Sequence, residues 1–254
     1  MQTMQPRPSV DIVIPCLNEE QQLPISLEAL RRFCVERLGG YAWRVVVADN
    51  GSTDGTLARA QEFASKYPDS FGAIRLPERG RGRALRKAWT ESAADLVCYM
   101  DVDLSTDLQH IRELIDPIAD GRYDLSYGTR LHPRSQTRRG WKREITSRAY
   151  VFLLRYAARL RVTDAQCGFK AIGREAARAL VPLVKDTGWF FDSELLLIAQ
   201  ENGYRLLEIP VRWIEDRDSR VRVLHTAVED VKGIWRMRRG GIPRPAPGDG
   251  GPDA

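Results

Sequence analysis

The chain has 254 residues, of which 43% are hydrophobic and 29% charged, and its formal net charge at pH 7 is +5. This apolar content predicts a substantial buried core, and the length fits a single domain. Nucleic-acid binding is disfavoured despite the charge, because no zinc finger, helix-turn-helix or RNP motif accompanies it. No apolar stretch reaches the roughly 18 residues that a bilayer-spanning helix needs, which predicts a soluble or membrane-peripheral protein.

The cysteines and the two ends of the chain predict its setting and its domain boundaries. The four cysteines are widely scattered and have the spacing of neither a zinc site nor a disulfide framework, which favours a reduced, cytoplasmic compartment. Residues 1–8 form a polar segment without an apolar run, and residues 240–254 are rich in glycine and proline. We therefore expect a flexible leader, a domain over residues 9–239, and a disordered tail.

Strands and helices alternate in the first half of the chain. Residues 10–15 predict a buried, β-branched strand that ends at a proline, and a helix is expected over residues 24–38. Residues 43–48 predict a second buried strand, which leads into a polar turn that contains Asp49 and Asp54. Such a turn offers backbone N–H groups and carboxylates at the carboxyl edge of a strand, where open α/β sheets bind ligands.

A third predicted strand, residues 74–76, precedes a basic turn rich in glycine at residues 77–86. This turn does not match the dinucleotide-binding pattern GxGxxG, because Leu85 stands at the last glycine position. The turn enters a predicted helix, so its arginines and the helix N-terminus are expected to attract phosphate. A solvated basic loop is the alternative.

The apolar run at residues 96–100 predicts a fourth strand, and Asp101 and Asp103 follow it directly. Because side chains alternate across a strand, carboxylates two residues apart are expected on the same side, where they can share a divalent ion. This spacing predicts a metal and diphosphate site, with a solvated loop as the alternative. Residues 206–213 predict a further strand later in the chain.

The ordered set of motifs resembles family 2 glycosyltransferases of the GT-A fold, and the resemblance covers residues 10–223. Within that family it is similar to the polyprenyl-phosphate hexosyltransferases, the group of dolichyl-phosphate glucosyltransferases and mannosyltransferases. The motifs are IPCLNE at 14–19, DNGSTDGT at 49–56, GRG at 80–82, DVD at 101–103, GTR at 128–130, DAQCGFK at 164–170 and FDSE at 191–194. The resemblance implies a single Rossmann-like α/β domain with a mixed, mainly parallel sheet flanked by helices.

The resemblance also implies an inverting transfer of a hexose from a nucleotide-diphosphate sugar to a polyprenyl phosphate, with Mg²⁺ or Mn²⁺ as cofactor. The motifs at 164–170 and 191–196 look more like the glucosyl branch, so UDP-glucose is the first donor candidate and GDP-mannose the second. A transferase acting on a sugar hydroxyl, a sugar-phosphate nucleotidyltransferase and a non-catalytic nucleotide-sugar binding module are the alternatives.

The resemblance assigns expected roles to residues of this sequence. The expected metal ligands are Asp101, Asp103 and Ser105, although Ser105 stands where some mannosyltransferase relatives carry glutamine, which leaves the third ligand open. The expected donor-binding residues are Pro15, Leu17, Glu19, Asp49, Asp54, Arg81 and Asp101. The expected acceptor-phosphate ligands are Arg130, Arg143 and Ser147. The expected catalytic residues are Asp103, Asp192, Arg217 and Arg220.

Asp192 has more than one possible role. It stands near the start of a predicted helix, where it could cap the helix, because a helix N-terminus stabilises an anion. In the resembling enzymes its motif faces the reaction centre. A sugar hydroxyl acceptor would need Asp192 as a base, whereas a lipid phosphate is already anionic at neutral pH and would leave Asp192 a positioning or structural role.

Two segments are candidates for contact with a membrane surface. Residues 141–162 predict a helix that is largely apolar apart from a narrow stripe of arginines, and docking on the domain or an oligomer interface explains this pattern equally well. Residues 228–239 mix apolar residues with Lys232, Arg236, Arg238 and Arg239, a combination suited to an anionic interface. The alternative is a terminal helix packed on its own domain. The expected location is cytoplasmic, peripherally on the inner face of the membrane.

Overall fold

The computed structural model describes residues 7–138, 160–214 and 223–246. The strands in these ranges are β1 (Ser9–Cys16), β2 (Ala42–Asn50), β3 (Phe71–Leu76), β4 (Leu96–Met100), β5 (Leu125–Thr129), β6 (Gln136–Arg138), β7 (Phe169–Gly173), β8 (Leu206–Pro210) and β9 (Arg212–Ile214). The α-helices are α1 (Gln22–Arg37), α2 (Thr56–Lys66), α3 (Arg81–Glu91), α4 (Ile111–Ala119), α5 (Arg174–Leu180), α6 (Phe191–Glu201) and α7 (Val223–Gly240).

Seven strands form one mixed sheet in the order β3-β2-β1-β4-β7-β5-β8. All neighbouring pairs are parallel except those of β7, which runs antiparallel to both β4 and β5. A second sheet consists of β6 and β9. The predicted fold class, a mixed and mainly parallel α/β sheet flanked by helices, is therefore confirmed.

Apolar side chains on both faces of the sheet build the core. On β1, Val13 belongs to one buried cluster, while Ile12 and Ile14 belong to the other, as expected when side chains alternate along a strand. One face is covered mainly by α1 and α4, and the other by α3, α5, α6 and the C-terminal half of α7. Because both faces are buried, the central strands are continuous apolar runs, the pattern that predicted them.

The chain changes direction across the sheet between β1 and β4. The first two crossovers place β2 and β3 on one side of β1, whereas β4 lies on the other side. In open α/β sheets such a switch point leaves a crevice at the carboxyl ends of the strands. The polar turns after β1, β2 and β4 therefore meet at one edge of the sheet.

Two sequence predictions are wrong in detail. Residues 206–213 were predicted as one strand but form β8 in the large sheet and β9 in the small one. The change occurs at Val211, whose N–H still donates to the Thr129 carbonyl of β5 while its carbonyl accepts the Gln136 N–H of β6. In addition, β4 ends at Met100, so Asp101 and Asp103 lie in a turn, where the alternation argument does not apply.

Within the described ranges, no helix has the length and apolar character needed to cross a bilayer.

Candidate active site

The turns after β1 and β2 are joined by hydrogen bonds between their side chains and backbones. Asn18 has a φ of +57° and accepts a hydrogen bond from the Thr53 N–H at 2.8 Å. The Asp54 carboxylate accepts hydrogen bonds from the N–H groups of Thr56 at 3.0 Å and Glu20 at 3.3 Å. Burial raises the pKa of Asp54, but these hydrogen bonds outweigh it and leave the pKa below the usual range. Asp54 thus stabilises the turn that carries the expected donor residues.

Asp49, at the end of β2, is fully buried. Its Oδ1 accepts a weak hydrogen bond from the Ser52 N–H at 3.3 Å, and within the described residues its Oδ2 has no hydrogen-bond partner. An unpaired buried carboxylate oxygen costs free energy, and such an atom in a folded protein calls for an explanation. Pro15 and Leu17 are partly exposed at the neighbouring end of β1, in register with this strand end.

The glycines of Gly80-Arg81-Gly82 allow α3 to begin in close contact with the segment before α6. A Cβ at Gly80 would lie 2.6 Å from the Thr187 carbonyl oxygen, and one at Gly82 would lie 2.6 Å from the Phe191 Cβ. The first N–H groups of α3, those of Gly82 and Arg83, donate to carbonyls at residues 187–188. Two of the N–H groups that were expected to attract phosphate are therefore already engaged within the protein.

Arg81 is brought by this packing into the centre of the site. Its Nη1 donates to the Asp192 Oδ2 at 2.6 Å, and its Nη2 donates to the Asp101 Oδ1 at 3.1 Å. The guanidinium carbon lies 4.9 Å from the ring centres of both Tyr99 and Trp189. Such contacts favour a cation between two aromatic rings. Arg81 is therefore held rigidly beside Asp101.

The Asp101–Asp103 turn is where the sequence predicts a divalent cation. The Asp101 side chain is 42% exposed, while the Asp103 Oδ1 accepts a hydrogen bond from the Ser105 N–H at 3.0 Å. Leu104 has a φ of +51°, an unfavourable conformation for a leucine, and such strain concentrates at functional sites.

Whether this turn could bind a divalent cation depends on its oxygen atoms. In the described part of the chain, no group of three or more His, Cys, Asp or Glu side chains is placed to hold a metal ion. The Ser105 Oγ is nevertheless buried without a hydrogen-bond partner among the described residues. Mg²⁺ commonly binds one or two carboxylates together with substrate phosphates, so two aspartates and a hydroxyl fit this requirement.

Asp192 is buried in the first turn of α6 but makes no capping hydrogen bond. Its Oδ1 accepts the Tyr99 hydroxyl at 2.6 Å and lies 3.4 Å from the Lys170 Nζ. Burial raises the pKa of Asp192, but Lys170 and Arg81 more than offset this, so the pKa lies below its usual range. Among the described residues, Asp192 is therefore no simple helix cap, and its position between two cations favours the ionised carboxylate.

Arg130, at the end of β5, forms a two-pronged ion pair with Asp164. Its Nε and Nη2 donate to the two carboxylate oxygens at 2.7 and 2.9 Å, and its guanidinium lies 5.5 Å from the Trp213 ring centre. Burial alone would lower the pKa of Arg130, but Asp164 raises it above the usual range. Asp164 thus fixes the guanidinium that was expected to bind the acceptor phosphate.

Four expected site residues, Arg143, Ser147, Arg217 and Arg220, lie outside the described residues. The last residue before the second of these segments, Ile214, donates its N–H to the Ser105 carbonyl at 2.9 Å. The chain therefore leaves β9 directly beside the Asp101–Ser105 turn.

Sequence reasoning gave no role to Tyr99, Trp189 or Asp164, and none to Lys170 beyond its place in a motif. Lys170 is completely buried and follows Phe169 at the start of β7. A lysine within the otherwise apolar run of residues 169–172 was the available signal, because a lysine is almost never fully buried unless it is paired. The four cysteines are all buried free thiols.

Comparison with known proteins places this geometry in a family. The model of the family described as Glycosyl transferase family 2 matches residues 11–181. The chain is 37% identical over 230 residues to glycosyltransferase AglD from Haloferax volcanii, a match that covers 89% of this chain and 35% of AglD. It therefore spans about a third of the length of that relative.

Human dolichyl-phosphate beta-glucosyltransferase (Homo sapiens) is 28% identical over 257 residues, covering 92% of this chain and 79% of the human protein. Among solved structures, glucosyl-3-phosphoglycerate synthase from Mycobacterium tuberculosis in complex with UDP superposes with a TM-score of 0.68 at 21% identity, covering 93% of this chain and 81% of that one. The same enzyme in complex with Mn²⁺, UDP and phosphoglyceric acid has a TM-score of 0.67 at 20% identity, covering 93% and 80%.

The family match covers more than half of the chain, and the structural neighbours share its fold over 93% of its length. The predicted resemblance is therefore confirmed: the chain belongs to the family 2 glycosyltransferases and has the GT-A fold.

Proposed function

We propose that this protein is an inverting transferase that moves a hexose from a nucleotide-diphosphate sugar to a polyprenyl phosphate. UDP-glucose is the favoured donor and GDP-mannose the second candidate. The observation that carries the proposal is the Asp101–Ser105 turn at the switch point of the sheet, with Arg81 fixed beside it. The Asp49 Oδ2 at the end of β2, which has no partner within the described ranges, adds to this observation.

The donor side of the proposal follows from the charges of this turn. Asp101, Asp103 and the Ser105 hydroxyl would hold Mg²⁺ or Mn²⁺, which, when bound, neutralises the charge that develops on the departing diphosphate. Arg81 adds a second positive charge next to Asp101. A structural neighbour was solved with Mn²⁺ and UDP, which supports the choice of a metal but concerns that enzyme.

The nucleotide would lie over the ends of β1 and β2. Asp49 would accept a hydrogen bond from a base N–H, while Pro15, Leu17 and Glu19 would line the base and ribose pocket. The turn that contains Asp54 holds this edge together through its hydrogen bonds to Glu20 and Thr56. These placements are proposals that rest on the geometry around the two strand ends.

The acceptor side rests on Arg130 and on the relatives. The Arg130 guanidinium is held by Asp164 near the end of β5, and a guanidinium matches phosphate oxygens in two-pronged hydrogen bonds. Arg143 and Ser147 are proposed as its partners from the sequence. The names of the relatives at 28% identity or less include several dolichyl-phosphate beta-glucosyltransferases, which supports a polyprenyl phosphate as acceptor.

A phosphate acceptor also agrees with the surroundings of Asp192. This carboxylate is buried and saturated by Arg81, Tyr99 and Lys170, so it is poorly placed to remove a proton from a hydroxyl. A phosphate monoester has a second pKa near 6 and is already a nucleophilic anion at neutral pH. We therefore propose that Asp192 positions Arg81 and does not act as a base.

A transfer assay tests the proposal directly. The full chain is incubated with Mn²⁺, tritiated UDP-glucose and one acceptor, which is a polyprenyl phosphate, the matching polyprenol or 3-phosphoglycerate. We expect label to enter the lipid phase only with the polyprenyl phosphate. Transfer to the polyprenol would require a base and reject this reading, and transfer to phosphoglycerate alone would replace the acceptor class.

The metal site is tested with Asp103→Ala in the same assay. Because leaving-group stabilisation depends on this turn, we expect turnover to fall on the order of 100- to 1000-fold, with thermal stability close to that of the wild type. Asp120→Ala removes an exposed carboxylate beyond the end of α4 and serves as the control. Undiminished turnover of Asp103→Ala, or of the wild type in excess chelator, would contradict the metal site.

A further inference from the structure

Two fully buried polar residues, Tyr99 and Lys170, lie behind the candidate active site. They are direct partners across β4 and β7. The Lys170 Nζ donates to the Cys167 carbonyl at 2.6 Å and to the Tyr99 hydroxyl at 3.3 Å, and it lies 3.4 Å from the Asp192 Oδ1. A buried ammonium ion is costly unless it is paired, so this lysine is a specific feature of the site.

A chain of alternating charges runs from this lysine to the exposed turn. Lys170 contacts Asp192, Asp192 contacts Arg81 at 2.6 Å, and Arg81 contacts Asp101 at 3.1 Å. Of these four charged side chains, Asp101 alone is substantially exposed. Without the lysine, Asp192 would be balanced by Arg81 alone and would draw that guanidinium away from Asp101.

A second connection passes through the backbone. The Cys167 carbonyl that Lys170 binds is followed by Gly168, whose own carbonyl accepts the Asp101 N–H at 3.2 Å. Lys170 therefore holds both the charge partner of the Asp101 carboxylate and the turn that anchors the Asp101 main chain. Two independent connections converge on the same residue.

We propose that Lys170 and Tyr99 are positioning residues of the transfer site, which set the orientation of the Asp101 carboxylate through Asp192, Arg81 and the 167–168 turn. The inference rests on the proposed function because it takes Asp101 as a ligand of the donor-bound metal. Neither residue touches the substrate. Their effect is expected on the affinity for metal and nucleotide diphosphate, because partners of metal ligands fix the geometry of those ligands.

The test measures Mn²⁺ binding without turnover. Lys170→Met keeps the length of the side chain but removes its charge, and Tyr99→Phe removes only the hydroxyl. Free Mn²⁺ is titrated by electron paramagnetic resonance in the presence of UDP, and in parallel with GDP. We expect the affinity for Mn²⁺ to fall about 10- to 100-fold in Lys170→Met. A smaller loss is expected in Tyr99→Phe, which keeps the ammonium ion.

The control must break a buried ion pair near the site without changing any of the four charged side chains that link Lys170 to Asp101. Glu194 lies two residues after Asp192 on α6 and is equally buried. Its carboxylate accepts hydrogen bonds from both terminal nitrogens of the Arg236 guanidinium, at 3.0 and 2.8 Å. Arg236→Met should therefore lower the melting temperature but leave the Mn²⁺ affinity unchanged. If it weakens Mn²⁺ binding as much as Lys170→Met does, the effect is general loosening and the inference is overturned.

The two remaining outcomes are equally decisive. A wild-type Mn²⁺ affinity in both Lys170→Met and Tyr99→Phe would show that the two residues have only a structural role and would overturn the inference. If Lys170→Met does not fold, the Mn²⁺ affinity of Tyr99→Phe decides alone: a loss supports the inference and a wild-type value overturns it. Failure of the proposed function looks different. A wild type that binds Mn²⁺ with UDP but transfers nothing to polyprenyl phosphate loses its acceptor assignment, while a selective loss in Lys170→Met still supports the positioning role.

Discussion

Gly168 shows how closely the protein is packed around the Asp101 carboxylate. A Cβ built on Gly168 would lie 1.8 Å from the Asp101 Oδ2 and 2.2 Å from its Cγ. Non-bonded atoms do not approach so closely. The Asp101 carboxylate therefore occupies the space that the Cβ of any other residue at position 168 would fill. The glycine in the sequence GF at 168–169 is therefore explained by the position of a site residue, since its backbone conformation does not require glycine.

This packing predicts the effect of one added methyl group. In Gly168→Ala the Asp101 carboxylate must move, and a displacement of about 1 Å in a catalytic arrangement costs on the order of 100-fold in rate. We expect a comparable loss of transfer activity, measured with UDP-glucose and polyprenyl phosphate. The control is Gly72→Ala, because a Cβ there meets no atom within 4 Å. Full activity of Gly168→Ala would show that Asp101 has no fixed role.

The contacts of Asp192 limit the chemistry that this residue can perform. Its motif favoured a functional role over capping, and the contacts with Arg81, Tyr99 and Lys170 agree with that preference. The same contacts leave little freedom for proton transfer, because a carboxylate with a lowered pKa is a weak base. Asp192→Asn is an ambiguous test, since it would leave two buried cations short of a partner and destabilise the fold.

At the scale of elements, α7 combines both of the alternatives that the sequence left open. Ile234 and Met237 are buried, and a Cβ at Gly233 would overlap the Phe190 ring at 2.3 Å, so one face of α7 packs tightly on the domain. On the other face, Val231 is 49% and Trp235 is 56% exposed. The helix therefore docks on the domain while it presents an apolar strip.

The basic residues of α7 divide in the same way. Arg236 was expected at the membrane, but it is half-buried and paired with Glu194, so that expectation is wrong for this residue. Arg239 lies on the outer face, with its guanidinium 4.0 Å from the Trp235 ring centre, and Arg238 is exposed. An apolar strip bordered by arginines is complementary to an anionic lipid surface. We propose that this face carries the membrane contact.

Sedimentation with vesicles tests this face. Each basic residue near an anionic surface contributes about 1 kcal/mol, so Arg239→Glu should weaken binding to anionic vesicles roughly tenfold or more. Trp235→Ala should weaken it through the lost apolar area, and the wild type should dissociate as salt increases. Arg32→Glu on α1 changes an equally exposed arginine and serves as the control. If the wild type stays in the supernatant at low salt, α7 is no membrane anchor.

For the whole molecule, the sequence was most informative where local patterns repeat. Buried apolar runs predicted β1, β2 and β4, because a parallel sheet covered on both faces leaves few polar positions within its strands. The order of polar turns predicted which strand ends meet. These inferences need only neighbouring residues, and the sheet then brings the turns together.

Long-range contacts were out of reach for the same reason. Arg81 and Asp192 are 111 positions apart, and Tyr99 and Lys170 are 71 apart, so no spacing rule connects them. The basic turn at residues 77–86 was expected to attract phosphate, with a solvated loop as the alternative. The sequence could not show that Gly80 and Gly82 permit close helix packing or that Arg81 pairs with the buried Asp192. The roles assigned to Arg143, Ser147, Arg217 and Arg220 remain predictions from the resemblance.

The choice of donor is a property of the whole nucleotide edge and can be measured without an acceptor. Among the residues that the structure describes, the buried Asp49 Oδ2 has no hydrogen-bond partner, so a ligand that donates a hydrogen bond to it would remove a cost of the folded state. A ligand at 100 times its Kd stabilises the folded state by about 2.7 kcal/mol. For a protein of this size that corresponds to a rise in Tm of roughly 5–10 °C.

We expect UDP-glucose with Mn²⁺ to produce such a rise in a thermal-shift titration, and GDP-mannose to produce a smaller one. Asp49→Asn should abolish most of it. Its amide oxygen would stay with the Ser52 N–H, so its NH₂ group would oppose the donor N–H of the base. Asp69→Asn changes an exposed aspartate before β3 and should retain the full shift. A larger shift with GDP-mannose would reverse the donor assignment, and an unchanged shift in Asp49→Asn would place the base elsewhere.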